Sequence, residues 1–492
     1  MTTERYIYMN YPLIFKLLGN MFKIEAVFMV FPLVVSLVYG EYNIIIFILP
    51  IIILLAAGFS MTLFIKPKIN KFALKDAFAA AALTWALFSF FGALPFYLSG
   101  ALKNFADCMF ESIAGFTTTG TTLISDIENV GRGILFWRSS SVWIGGVGVL
   151  MFMMAVMPSV NASSINLFRA ESTSFSGDKI TPKIRETVKI IYFIYIALTV
   201  LIIILLIISG LPVYDSFIHA FTTVGSGGFS SMNKGLAVYN NPAAEIIITV
   251  FMFLVGVNFT LYYFLVKRNL RQVLKDEELR YYFGIVIISV IIMTINVSGV
   301  FNSVGESLKH SAFQVTSVIS TTGFTPLSDV YFMPSLSQFI VLFLMFTGCC
   351  AGSTGGGIKI VRVILILKTA RAEINKIVHP KSVKAITING KKIDDEIITK
   401  TFVLLFLYLA VFFISAVIVS FEGKDMMLTI SSVISMLSNV GVGITQNSIT
   451  GYFSSFSVLS KIVFSFCMII GRLEFFPVLI LLRPSVWVEK KS

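Results

Sequence analysis

Four short glycine loops recur along the 492-residue chain. They read Thr117-Thr118-Thr119-Gly120-Thr121, Gly225-Ser226-Gly227-Gly228-Phe229, Ser320-Thr321-Thr322-Gly323-Phe324 and Ser438-Asn439-Val440-Gly441-Val442. In each, a small polar residue stands two places before a shared Gly, with a small or β-branched residue or Gly between them. A single Thr-Thr-Gly is an ordinary turn sequence. Four such loops, each closing a semi-apolar stretch, have a chemical use. A cation entering a narrow pore loses its water shell, and rings of backbone carbonyls can replace it. Gly at the shared position permits a conformation and a closeness of approach that a Cβ would block. The candidate filter residues are therefore Thr118, Thr119, Gly120 and Thr121; Ser226, Gly227, Gly228 and Phe229; Thr321, Thr322, Gly323 and Phe324; and Asn439, Val440, Gly441 and Val442.

Two more features lie within apolar sequence. The run Gly348-Cys349-Cys350-Ala351-Gly352-Ser353-Thr354-Gly355-Gly356-Gly357 interrupts a span. So many glycines are costly in a helix unless it is meant to unwind. The candidate gate is thus Gly348, Gly352, Ser353, Thr354, Gly355, Gly356 and Gly357. A phosphate-binding loop is excluded, because Ile358 follows Gly357 where that motif requires Lys. The second feature is Arg472, in Gly471-Arg472-Leu473-Glu474. An intramembrane Arg is a functional residue by default. Below the filter it would set a barrier to cations; pairing with Glu474 or with backbone carbonyls is the structural alternative.

The elements that must position these residues are membrane helices. Of the chain, 56% is hydrophobic and only 13% charged, against roughly 25% charged in a soluble domain. A helix needs about 20 apolar residues to cross the hydrocarbon. Charge-free runs at 42–65, 77–102, 139–168, 190–214, 246–266, 281–305, 330–358 and 401–420, with weaker ones at 12–40 and 456–482, predict ten crossings. Shorter stretches near 104–121, 214–229, 304–324 and 424–443 read as re-entrant helices. Asp107, Asp215, Glu306 and Asp425 stand at or near their starts. The C-terminal, partially negative ends then point at the pore axis. The four acids could gather cations at the mouth or simply stabilise helix starts, and the sequence leaves both open.

The unit of span, re-entrant helix, glycine loop and span recurs four times, within about 73–160, 180–272, 277–370 and 395–484. Residues 1–72 supply two extra helices. Each unit contains an even number of crossings, so the four run parallel about one axis. With the loops outside, 30 of the 38 Lys and Arg residues fall on the inner side, which places both termini in the cytoplasm. The net charge of +12 follows from this asymmetry and not from nucleic-acid binding. No apolar segment followed by a small-residue cleavage site is legible at the start.

Enzyme chemistry has little support. An intramembrane hydrolase or transferase needs paired acid and base groups, or a nucleophile with its partner. His219, His310 and His379 are scattered, and Cys108, Cys349, Cys350 and Cys467 form neither a disulfide framework nor a metal-ligand pattern.

The loops, together with Phe136-Trp137-Arg138-Ser139, Trp143-Ile144-Gly145-Gly146, Leu167-Phe168-Arg169-Ala170-Glu171-Ser172, Ala351-Gly352-Ser353-Thr354-Gly355-Gly356-Gly357 and Gly471-Arg472-Leu473-Glu474, resemble the membrane subunit of Trk/Ktr-type potassium transporters. The two extra N-terminal spans resemble its TrkH branch. The resemblance implies an all-α integral membrane fold like a K+-channel tetramer fused into one chain. It implies a homodimer in the bacterial inner membrane, K+ as the transported ion, and no cofactor on this chain. It also implies a cytosolic nucleotide-binding regulator of the TrkA type with RCK-like domains. That contact, or one with anionic membrane lipid, is expected at the basic segment 359–400. In that family Gly at all four shared positions accompanies K+ preference. Thr121 and Ser226 stand where the family commonly carries Ala and a larger apolar residue. A Na+-permeable pore or a Na+- or H+-coupled symporter of the same fold is the alternative.

Overall fold

A computed structural model describes residues 9–67, 74–156, 181–301, 303–325, 333–380, 385–444 and 451–482. The stretch 167–172, most of the basic segment 158–190 and the tail 483–492 lie outside the described residues.

The apolar runs fold as helices. At the N-terminus, α1 (Tyr11–Val38) and α2 (Ile45–Phe64) pack as an antiparallel pair. Gly19 and Gly58 let the two backbones approach. A Cβ at Gly58 would lie 2.8 Å from the Gly19 carbonyl oxygen, and one at Gly19 would lie 2.9 Å from that of Gly58. Small residues at the crossing are how helices associate in lipid, where the hydrophobic effect gives no drive.

Four units of similar plan follow. The first is α3 (Leu74–Ser99), the short α4 (Phe105–Phe116) and α5 (Arg132–Val156). The second is α6 (Thr181–Ile208), the short α7 (Val213–Val224), α8 (Pro242–Val255) and α9 (Phe259–Val266), followed by the small α10 (Leu270–Leu274). The third is α11 (Glu277–Val297), the short α12 (Val304–Ile319), α13 (Ser335–Thr347) and α14 (Ile360–Val378). The fourth is α15 (Asp395–Ser420), the short α16 (Met426–Ser438), α17 (Val458–Leu473) and α18 (Phe476–Leu482). The strands β1 (Thr387–Ile388) and β2 (Lys391–Lys392) form an antiparallel hairpin between the last two units.

Packing closes the four units into a ring. The helix after each loop packs on the short helix of the next unit: α5 on α7, α8 on α12, α13 on α16, and α17 back on α4. That order is cyclic and follows the chain. The outer loops of the first two units are also tied. Asn233 Nδ2 donates to Asp126 Oδ1 at 3.1 Å and Asn129 Nδ2 to Asp126 Oδ2 at 2.6 Å. These bonds hold the Asp126 carboxyl below its usual range.

Among the described residues, six helices are individually long and apolar enough to cross a membrane. Three runs counted as crossings in the sequence are broken. The run 246–266 bends by 93° between α8 and α9. Gly256 ends α8 against Tyr282, whose Oη would lie 2.4 Å from a Cβ there, and Asn258 caps α9 by accepting from the Thr260 N–H at 2.9 Å. The run 330–358 stops at Gly348, which has φ +68°. The run 456–482 breaks at Glu474 and Phe475, with φ +58° and +67°. Backbone that leaves the helix at membrane depth must be buried in protein or line water.

Candidate ion-conduction site

All four short helices end in the same way. The residue at the helix end is left-handed in each: Thr118, Ser226, Thr321 and Asn439 have φ of +57°, +58°, +58° and +58°. Its N–H bonds back three residues, to Gly115, Thr223, Val318 and Met436. The next N–H bonds back five residues, from Thr119 to Ala114, Gly227 to Thr222, Thr322 to Ser317 and Val440 to Ser435, at 2.8–2.9 Å. This is a Schellman cap. The cap turns the N–H groups back into the helix and leaves the carbonyls of the loop facing away from it. The shared glycines come next, with φ of +72°, +58°, +78° and +82° at Gly120, Gly228, Gly323 and Gly441. Residues Thr119, Gly227, Thr322 and Val440 between them have negative φ. Dihedrals of alternating hand direct successive carbonyls to one side of the strand.

The four loops meet edge to edge. A Cβ at Gly120 would lie 1.4 Å from the Gly227 carbonyl oxygen. One at Gly228 would lie 2.2 Å from that of Thr322, one at Gly323 2.0 Å from that of Val440, and one at Gly441 1.9 Å from that of Thr119. Each shared Gly therefore abuts the carbonyl of the residue before the next shared Gly, and the fourth abuts the first. The side chains one place after the glycines differ in direction from this ring. The Phe229 ring lies under the Arg138 guanidinium at 4.0 Å, and the Phe324 ring lies 5.8 Å from that of His219. Thr121 is buried, and Val442 is half-buried with its side chain 3.2 Å from a Cβ placed at Gly323.

The segment 348–359 packs against these loops. Thr354 Oγ1 meets Ser226 Oγ at 2.6 Å, and the Gly356 N–H donates to Thr321 Oγ1 at 2.8 Å. A Cβ at Gly356 would lie 2.2 Å from the Ser438 carbonyl, and one at Gly355 2.6 Å from that of Ser320. Gly348 and Gly357 pack against each other at the neck, where a Cβ at Gly357 would lie 2.8 Å from Gly348 Cα. Gly352 accepts from the Phe259 N–H at 3.0 Å, and the Cys350 N–H donates to the Gly256 carbonyl at 3.1 Å, so the break in the second unit grips the segment. Ser353 donates to the Cys350 carbonyl. Arg472 reaches in from the fourth unit: Nη1 donates to the Thr354 carbonyl and Nη2 to the Gly145 carbonyl, both at 2.6 Å. Glu474 is not its partner; that carboxylate pairs with Arg362.

Residues 43–491 match the family described as TrkH, cation transport protein. The chain belongs to the TrkH family. The Trk system potassium uptake protein TrkH of Halomonas elongata is 31% identical over 485 residues, covering 97% of this chain and all of that one. The Trk system potassium uptake protein TrkG of Escherichia coli K12 is 30% identical over 466 residues, covering 93% and 94%. The crystal structure of the potassium transporter TrkH from Vibrio parahaemolyticus superposes with a TM-score of 0.88 at 27% identity, covering 98% of this chain and all of that one.

Sequence reasoning missed the roles of four charged residues in this TrkH-family chain. Lys359 is buried and its Nζ donates to the Gly355 carbonyl, a second cation beside Arg472. Glu278 is buried, and its Oε1 accepts from the N–H groups of Ala351 (2.7 Å) and Val361 (3.1 Å), pinning both ends of the segment. Behind the first loop, Glu111 pairs with Arg138 at 2.9 Å, both fully buried. Glu111 also accepts from Thr122 Oγ1 at 2.8 Å and the Leu123 N–H at 2.9 Å, so it holds the outer leg of that loop. A Glu nine residues before the shared Gly was the available signal; His219 occupies the same place in the second unit and meets Ser230 Oγ at 3.3 Å. Glu111→Ala leaves the buried Arg138 charge without its carboxylate partner. The expected cost is about 3–5 kcal/mol, read as a lower thermal midpoint in detergent. The double variant Glu111→Leu, Arg138→Met should recover much of it; equal losses in both would show that packing, not charge, holds the site.

The helix-start acids are largely engaged. Asp425 caps α16 through the N–H groups of Met427 and Leu428, Asp107 pairs with Lys461 at 2.8 Å, and Asp215 accepts from Ser231 Oγ at 2.6 Å. Glu306 lies 4.0 Å from His310. Of these four side chains only that of Asp425 bonds the N–H groups of its own helix start; Asp107 and Asp215 are tied instead to Lys461 of the fourth unit and to Ser231 of the following loop.

Proposed function

We propose that this chain takes up K+ across the bacterial inner membrane through the ring of four loops. The dehydrated ion is held by carbonyls of Thr118 to Thr121, Ser226 to Phe229, Thr321 to Phe324 and Asn439 to Val442. The cyclic contact of Gly120, Gly228, Gly323 and Gly441 with neighbouring carbonyls carries this reading. It packs four oxygen-bearing strands around one axis with no side chain in between, which suits an ion stripped of water. The printed names of the relatives, Trk system potassium uptake proteins, support K+ as the ion. The segment 348–357 and Arg472 form the gate in this reading, because they cover the inner side of the loops with a guanidinium.

The basic inner segments favour cytoplasmic termini. A homodimer, a cytosolic RCK-type nucleotide-binding regulator of the TrkA type and anionic lipid complete the assembly. The regulator and the lipid both fit residues 359–400, where Lys and Arg are dense. Reconstitution in liposomes with the cytosolic regulator, comparing K+, Rb+, Na+ and Li+ flux, tests the function. K+ and Rb+ well above Na+ and Li+ is the expected result. Equal Na+ flux, or flux that needs an opposing or accompanying H+ or Na+ gradient, would replace it with the permeable or symporting alternative.

A further inference from the structure

We propose that Glu25 is a proton-binding site at the boundary between the N-terminal helix pair and the first unit, and that its neutral, proton-bound form keeps that boundary closed. The inference is independent of the filter reading and needs only that α1 crosses the membrane. Glu25 lies midway along α1, with 14 helical residues before it and 13 after. It therefore stands about 20 Å from either end of the helix, near the centre of the hydrocarbon. It is 0% exposed, and neither carboxyl oxygen has a hydrogen-bond partner. Its neighbours one turn away are apolar and reach two different elements. Phe22 packs edge-on against Phe91 of α3, with ring centroids 5.1 Å apart, and Phe28 packs against Trp143 of α5 at 5.8 Å. Residues three before and three after lie on the same side of a helix. Glu25 thus sits where α1 meets α3 and α5.

Among the described residues no charge pairs with it. On α1 itself Lys23 turns to α2, where Nζ donates to Thr62 Oγ1 at 3.2 Å, and Lys16 lies more than two turns away. The helix α2 carries no ionisable residue. The helix α3 carries Lys75 and Asp76 at one end and Tyr97 at the other, and Asp76 accepts the Asn10 N–H at 3.2 Å. The helix α5 carries Arg132, held over the Tyr39 ring at 4.2 Å, and Arg138, paired with Glu111. An ionised carboxylate at Glu25 would lose its hydration with nothing in return. The neutral acid is the form that fits. Even then its O–H is unsatisfied, and an apolar side chain would fill the place without that cost. What the acid does and an apolar residue cannot do is take up and release a proton. An ionisable group kept at membrane depth marks function.

Release of the proton needs water at the boundary. The backbones of α1 and α2 are locked together at the Gly19 and Gly58 crossing, whereas α1 meets α3 and α5 beside Glu25 through ring contacts. The second side is the one that loosens. The closed boundary holds a proton that the hydrated one gives up at neutral pH. Closure is therefore favoured at low pH and weakens as pH rises.

Two measurements on the full-length protein in liposomes test this. Infrared spectra of wild type and Glu25→Gln at neutral pH should differ by one carboxylic acid C=O band, at the high-frequency end where an acid without hydrogen bonds absorbs. Hydrogen exchange of the α1 amides would be compared between the two proteins at the same pH, so that the intrinsic chemical rate cancels. It should be equal at mildly acidic pH and several-fold faster in wild type at alkaline pH, because Gln cannot ionise. Glu25→Leu replaces Glu25→Gln in both measurements if the latter does not fold, and the ratio of wild-type to Leu exchange should rise with pH in the same way. Absence of the band overturns the proposal, because Glu25 is then ionised in the closed protein. A ratio that does not change with pH also overturns it, because the side chain then acts through packing alone.

Discussion

Gly120→Ser should abolish the preference for K+ over Na+. At this position a Cβ would lie 1.4 Å from the Gly227 carbonyl oxygen and 2.4 Å from its carbon. No rotamer relieves a clash made by the Cβ itself, so the backbone of one loop or the other must move. Gly120 also has φ +72°, which a residue with a side chain adopts only with strain. The displaced carbonyl belongs to the ring proposed to replace the hydration shell, and selectivity depends on the number and placement of those dipoles. A loss of about tenfold or more in the K+ to Na+ flux ratio, ~1.4 kcal/mol, is the expected magnitude. Gly441→Ser should act similarly, because its Cβ would meet the Thr119 carbonyl at 1.9 Å. Gly284→Ala is the control, since a Cβ there meets nothing within 4 Å. Radiotracer uptake into liposomes, with a thermal midpoint to confirm folding, makes the comparison. A Gly120→Ser protein that folds and keeps the wild-type ratio would remove the ring as the selecting element.

The contrast between these glycines explains what was legible in the sequence. Gly120, Gly228, Gly323 and Gly441 announced themselves because the same short pattern occurs four times and only Gly suits all four places. The polar residue two places earlier was visible as a pattern, but its physical reason was not. Nothing local says that Thr118 and Thr321 adopt a left-handed conformation, which Thr avoids. The glycine-rich interruption at 348–357 was readable as a break in a span for the same reason that glycine weakens any helix. The break at 256–258 was hidden, because a single Gly in an apolar run is compatible with a continuous helix, and the bend depends on Tyr282 and on the segment 350–352 packing there. Arg472 was conspicuous as a charge in lipid, yet its partners could not be read from spacing. Glu474, two residues away, looks available on paper but faces Arg362, and Arg472 turns to carbonyls of the first and third units. Glu111 with Arg138, and Glu278 with Ala351 and Val361, join residues 27 to 83 positions apart. Each of these pairs lies within one unit, but it depends on how that unit's helices and loops fold back on one another, which spacing along the chain does not give.

Arg472→Met should produce K+ flux that no longer depends fully on the proposed cytosolic regulator. The substitution keeps most of the volume and removes two kinds of restraint. One is mechanical: the guanidinium bonds the Thr354 carbonyl of the segment to the Gly145 carbonyl of the first unit, so it clamps the segment across the ring. The other is electrostatic. A K+ ion about 6 Å from the guanidinium, at an effective dielectric of ~20, is repelled by roughly 3 kcal/mol. Lys359 remains and keeps part of that barrier, so a rise of about tenfold in regulator-free flux is expected rather than the full hundredfold that this energy would allow. Arg472→Lys separates the two effects. It keeps the charge but cannot span two carbonyls with a planar fork, so a rise in flux from Lys equal to that from Met would assign the restraint to the clamp. No rise from Lys, with a rise from Met, would assign it to the charge. In either case the K+ to Na+ ratio should stay near the wild-type value, because the carbonyls of the proposed filter are untouched. If Arg472→Met folds and its flux still depends wholly on the regulator, neither the clamp nor the charge is the closed gate, and the restraint must lie in the contacts of Thr354 and Gly356 with the loops themselves.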